Sequence, residues 1–111
     1  MEIQEEQQGA VTVLRPVGPL ADADADQAKR CMQEALRVTR GRFVLDAAAV
    51  PFLDSRGVEV LVEIGDELAQ TGQTMKICGE NATVRQTLQL TGLSERFDHF
   101  EEVLAAVRSF L

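Results

Sequence analysis

The sequence contains no tryptophan and no tyrosine, and phenylalanine is its only aromatic apart from one histidine. Stacking platforms for bases or sugars are therefore scarce. Cations are also in short supply. Eleven Lys and Arg stand against 18 Asp and Glu, for a net charge of −7. Such a surface repels nucleic acid and anionic membranes and suits a partner with a basic docking face. No apolar run approaches the roughly 20 residues a bilayer span needs, so no membrane insertion is expected. Cys31 and Cys78 fit no C-x-x-C spacing, and each reads as a small core hydrophobe in a reducing compartment. Met1 is followed by "EIQEEQQ", which has neither the basic nor the apolar part of a secretory leader. The expectation is a cytoplasmic protein.

What is present is a chain of 111 residues, 45% hydrophobic. That is material for one domain over residues 1–111, needing no metal or disulfide to hold it. Residues around Ile3–Glu6 read as an edge strand, and Gly9 as the turn into "AVTVLRPVG", where Val11, Val13 and Arg15 alternate with Thr12 and Leu14. Pro16 limits that strand to an edge or an end. In "LADADADQAKRCMQEALRVTRG", residues Ala25, Ala28, Met32, Ala35, Leu36 and Thr39 recur at helical spacing. Asp22, Asp24 and Asp26 sit where carboxylates cap free N–H groups, and Gly41 is the stop. "FVLDA" reads as a buried strand. The next helix places Val58, Leu61, Val62, Gly65, Leu68 and Ala69 on one face. "TMKIC" is a further strand. Asn81 caps a helix with Val84, Leu88 and Thr91 inward. The tail puts Val103, Leu104, Val107, Phe110 and Leu111 on one stripe. The order β-β-α-β-α-β-α-(β)-α implies an α/β fold: a mixed, mostly parallel sheet of four or five strands with about four helices.

Several chemical readings fail on spacing. D-x-D-x-D opens a calcium loop only with Gly at position six and Glu at position twelve, where this chain has Gln27 and Gln33. His99, the only histidine, has no metal-ligand spacing around it, so no metal is expected. A phosphoreceiver domain would need acids after the first strand. Asp46 alone mimics its acceptor. A serine hydrolase would need G-x-S-x-G around Ser55, but Leu53 stands in place of the first glycine, and Asp98 and His99 are sequence neighbours. The chain is expected to be no enzyme and to carry no cofactor.

That leaves "DSRG", Asp54 to Gly57, at the junction of an apolar approach and a helix. Ser or Asp there is ordinarily a cap. Gly57 does not suit that reading alone, because glycine in a first helical turn costs up to about 1 kcal/mol against alanine. A close approach by another backbone or by a phosphate accounts for it better. Arg56 reads as a solvated cation or as a contact for a partner or phosphate.

These residues, taken in succession, resemble the STAS domain family and within it the bacterial anti-sigma-factor antagonists. The resemblance rests on "VPFLDSRGVEVLVEI", on "VLRPVGPL" with its Gly-x-Leu, on "TGQTMKICG", and on "LQLTGLSERF". It covers nearly the whole chain in order. It implies a regulatory binding module that holds an anti-sigma factor which is also a serine kinase, with release when that kinase phosphorylates Ser55 and a serine phosphatase resetting the switch. It further implies a contact loop of Asp54, Arg56 and Gly57, with the partner face continuing over Gly18, Leu20, Asp22 and Glu59. Glu63 and Asp66 read as solvating charges. The chain departs from the family pattern at Arg56, where many members have a second Ser, and at Ala21, where many have an acid. Pro19 within "GPL" is also unusual. The rival reading is a STAS subunit that docks on a transporter ATPase or a stress-signalling scaffold, with no phosphoswitch.

Overall fold

A computed structural model describes residues 1–111. Strands β1 (Glu2–Gln8) and β2 (Val11–Val17) form the opening hairpin, and α1 (Asp22–Thr39) follows. Then come β3 (Phe43–Asp46), α2 (Ser55–Ala69), β4 (Met75–Cys78) and α3 (Ala82–Leu90). A 3₁₀ turn (Ser94–Arg96), β5 (Phe97–Phe100) and α4 (Val103–Arg108) complete the chain. The sheet order is β1-β2-β3-β4-β5, antiparallel only between β1 and β2. The α/β class and element order expected from the sequence are those observed, with β5 as the fifth strand.

Because the strands follow one another in a single direction, right-handed crossovers put their helices on one face. Accordingly α1, α2 and α3 share a core of 21 buried residues with that face, including Leu14, Leu45, Ile77, Met32, Leu61, Ile64 and Leu88. The other face has only α4, whose Ala106 packs over Val11, Val13, Val44 and Cys78. β1 is protected as an edge by its polar residues, since five of its seven are exposed Glu and Gln.

Four local expectations need correction. First, the three aspartates of α1 do not cap it. The N-cap is Ala21, without a side-chain bond, and Asp22 itself takes the left-handed conformation at φ 50°. The capping carboxylate arrives instead from Asp54, on another element. Second, the buried stripe of α2 runs through Gly57, Val60, Leu61, Ile64, Gly65 and Leu68. Val58 and Val62 are half-buried beside it and Ala69 is exposed. The stripe begins on a glycine, which carries no hydrophobic signal, so a periodicity count starts one residue late. Third, Thr91 is exposed rather than inward. It ends α3, its hydroxyl turned back to the carbonyl of Thr87, and the inward contact passes to Leu93. That residue's N–H reaches the carbonyl of Leu88 across Gly92, which stands at φ 74°. This is a Schellman closure with its accompanying apolar contact. Fourth, Leu104 and Leu111 are exposed, because α4 is only six residues long and presents a single turn to the sheet.

Candidate functional site

The carboxyl ends of the parallel strands form one edge of the molecule, and the junction "DSRG" lies there. Asp54 is the N-cap of α2, with extended backbone. Its Oδ1 accepts the N–H of Gly57 at 2.8 Å, and its Oδ2 accepts the N–H of Asp22 at 3.0 Å. One carboxylate thus ties the start of α2 to the start of α1. These bonds hold the Asp54 carboxyl below the usual aspartate range. Gly57's N–H is the largest cause, burial works in the opposite direction, and the N–H groups of Asp22 and Arg56 add to the depression.

Ser55 is the first residue of α2 and is exposed. The cap is made by Asp54, so the Ser55 hydroxyl takes no part in it. The serine is therefore presented at a helix N-terminus without a structural duty of its own.

Gly57 is buried, and the close approach expected at this glycine is made by the carbonyl of Leu20. A Cβ on Gly57 would overlap that oxygen. The same carbonyl accepts the N–H of Asp54 at 3.2 Å, and Leu20 donates its own N–H to Phe52 at 3.2 Å. Leu20 and Leu53 form an isolated parallel bridge. The Leu20 side chain is 1% exposed. Leu20 and Gly57, expected as partner contacts, are sealed against each other, and they hold the loop from beneath. Gly18, at φ 119°, ends β2 and donates to Ala49 at 3.0 Å. Asp22 is exposed beside Asp54.

Arg56 is not surrounded by solvent. Its guanidinium lies 2.7 Å from Asp26, 3.0 Å from Glu59 and 3.1 Å from Glu63, while Lys29 also holds Glu63. These carboxylates, Asp26 first, hold the Arg56 guanidinium still more firmly protonated than usual. The cluster staples α1 to α2 one residue beyond Ser55. Glu59 and Glu63 are thereby turned toward Arg56, and Asp66 toward Arg96, so none of the three is a free solvating charge.

Sequence reasoning passed over Phe52. Its side chain is 45% exposed, three residues before Ser55 on the same loop, and Val17, at the end of β2, is 38% exposed. An exposed phenylalanine after a proline in an otherwise apolar approach is the signal that could have found it. Asn81 supports this loop, with its amide reaching the carbonyls of Val50 and Pro51 at 3.4 and 3.1 Å.

The residues of the hydrolase reading do not converge. Asp98 pairs with Lys76, and His99 meets Glu80 and Ser94 instead. His99 Nδ1 lies 2.7 Å from the buried Glu80 carboxylate. Nε2 lies 2.6 Å from the Ser94 carbonyl and 3.5 Å from its hydroxyl. A carbonyl only accepts, so Nε2 carries a proton there and cannot serve Ser94 as a base. No group of three or more His, Cys, Asp or Glu side chains is clustered for a metal. No helix is long and apolar enough to cross a membrane.

Comparison with solved structures places this geometry in a known fold. An anti-sigma factor antagonist from Mycobacterium paratuberculosis superposes with TM-score 0.82 at 20% identity, covering 97% of this chain and 92% of that one. The anti-sigma factor antagonist SpoIIAA in its unphosphorylated form gives 0.77 at 22%, covering 98% and 96%. The Bacillus cell fate determinant SpoIIAA in its phosphorylated form gives 0.71 at 21%, covering 97% and 99%. At these identities the likeness is one of fold. No curated protein sequence matches the chain. The family model of the STAS domain matches residues 2–106, and with the element order, the Asp54 cap and the presented serine now in place, the chain belongs to the STAS domain family.

Proposed function

We propose that this STAS domain is an anti-sigma-factor antagonist, a cytoplasmic binding module rather than an enzyme. It holds an anti-sigma factor with serine-kinase activity and lets it go when that kinase phosphorylates Ser55. A serine phosphatase returns it to the binding form. The observation that carries this reading is Ser55 itself, exposed at the first position of α2 and excluded from the cap that Asp54 makes.

A phosphate on Ser55 adds about −1.5 to −2 charges. The helix N-terminus favours an anion by roughly 0.3–1 kcal/mol, so the domain keeps its fold. Arg56, the nearest cation in sequence, is already held by three carboxylates and leaves the phosphate charge unscreened. Asp22 and Asp54 add like charge beside it. The penalty then falls on the complex, where the phosphate would be desolvated against the partner. A thousandfold loss of affinity corresponds to about 4 kcal/mol, within reach of burying a doubly charged group next to carboxylates. The exposed Phe52 and Val17 supply apolar contact area on the same edge.

Pull-down from the source bacterium, followed by ATP and mass mapping, tests the reading. Recovery of a kinase-fold anti-sigma factor and phosphate on Ser55 support it. Ser55→Asp should weaken that complex strongly and Ser55→Ala should keep it. Equal binding by the two variants would sink the phosphoswitch. Recovery instead of a transporter ATPase or a multi-copy scaffold, with Ser55 unmodified, would favour the docking-subunit reading.

A further inference from the structure

The sheet face opposite α1, α2 and α3 is only partly roofed, because α4 covers little more than Val11, Val13, Val44 and Cys78. Beside α4 the face opens into a cavity of about 330 Å³. Val13 and Val103 give it apolar walls, and Gln4, Glu5, Glu6, Arg15 and Asp46 line the rest. Strand register explains the polar side. Gln4 lies opposite Arg15, and Leu14 opposite Leu45, so Gln4, Arg15 and Asp46 form one row across three strands, each about 4.8 Å from the next.

Asp46 is 7% exposed. Its Oδ1 accepts the N–H of Ala48 at 3.0 Å. Its Oδ2 accepts from no protein donor and is open to solvent, and Asp46 lines the cavity. Arg15, on the adjacent strand, is exposed and pairs with no carboxylate. Gln4 and Glu6 are occupied by their own neighbours Glu2 and Gln8. An acid and a base thus stand side by side over an apolar wall, and neither satisfies the other.

We propose that this cavity binds a free α-amino acid with an apolar side chain. Its ammonium group donates to Asp46 Oδ2, its carboxylate takes the planar fork of Arg15, and its side chain lies on Val13 and Val103. The two ligand charges sit on one carbon, as the two protein charges sit on neighbouring strands. A zwitterion also brings no net charge to a surface of net charge −7. The volume lies at the lower end of small-ligand sites.

Titration of the ¹⁵N-labelled protein with L-leucine into the millimolar range, followed by amide shifts, tests this without reference to Ser55 or to any kinase. Saturable shifts are expected around Arg15, Asp46 and Val103. Arg15→Gln and Asp46→Asn should each weaken binding about tenfold or more. Asp46→Asn keeps an oxygen for the Ala48 N–H, and Arg15→Gln changes an exposed side chain, so that if the first fails to fold the second still decides. 4-Methylpentanoate and 3-methylbutylamine, which each keep one of the two charges, should bind at least about tenfold more weakly than leucine. Absence of saturable shifts, binding unchanged in Arg15→Gln, or equal binding of either single-charge analogue would overturn the proposal.

Discussion

At the scale of single residues, the site is built from beneath by groups that contact one another. Gly57 makes room for the Leu20 carbonyl, which in turn receives the N–H of Asp54. Gly57→Ala forces a backbone contact that no rotamer change relieves, and it should lower stability by about 1–3 kcal/mol, like other overpacked positions. Urea unfolding reads this as a lower midpoint at unchanged slope, and a midpoint equal to wild type would contradict the contact. The glycine was legible in the sequence as a demand for close approach. The partner that makes the approach was not, because Leu20 lies 37 positions away by numbering. The cysteines divide in the same way. Both read as core residues, yet Cys78 is buried and Cys31 only half so. Burial first, and then the carboxylates of Asp46 and Glu80, push the Cys78 thiol up to about 12. At neutral pH a thiol reagent should modify Cys31 in the native protein and reach Cys78 only in denaturant. Rapid native labelling mapped to Cys78 would show that the α4 face opens.

At the scale of elements, caps link one segment to another. Asn81 accepts the N–H of Val84 at 2.8 Å as the cap of α3, and it also fastens the Val50 and Pro51 carbonyls of the loop that leads to Phe52 and Ser55. Asn81→Ala should cost about 1 kcal/mol, typical of a lost cap. It should also speed amide exchange through residues 50–55, a change that a cap acting on α3 alone would not produce. The cap of α3 could be read from Asn81 and the helix behind it. Its hold on the neighbouring loop could not, since that depends on β3 and β4 lying side by side. The stripe of α2 was misplaced by one residue for a related reason. Hydrophobic periodicity weighs side chains, and Gly57, where the buried stripe begins against the Leu20 carbonyl, has none to weigh.

At the scale of the whole molecule, acid stability follows from the depressed carboxyls. Asp54 is held down by Gly57 and other N–H groups, Glu63 by Lys29 and then Arg56, and Glu34 by Arg37. Each folded value lies below its unfolded one, so the native state binds fewer protons in acid. The stabilisation is complete above the unfolded values, about 3.9–4.3, and is lost as pH falls through the folded ones. The Glu34–Arg37 pair is exposed and contributes little. Unfolding free energy should therefore fall between about pH 5 and 2, and more gently in Asp54→Asn, which keeps an acceptor for Gly57 but loses the titrating group. Identical slopes would remove Asp54 from the account. The sequence by itself determined the order of strands and helices, the acidic surface and the serine at the head of α2, because propensity, periodicity and capping signals are local. Only the tertiary structure decided that Asp54 would also hold Asp22, that Arg56 would meet Asp26 across the two helices, and that Asp46 and Arg15 would share an open cavity. Those meetings depend on strand order and on the hand of the crossovers, which bring together residues about 30 positions apart that carry no mark of one another along the chain.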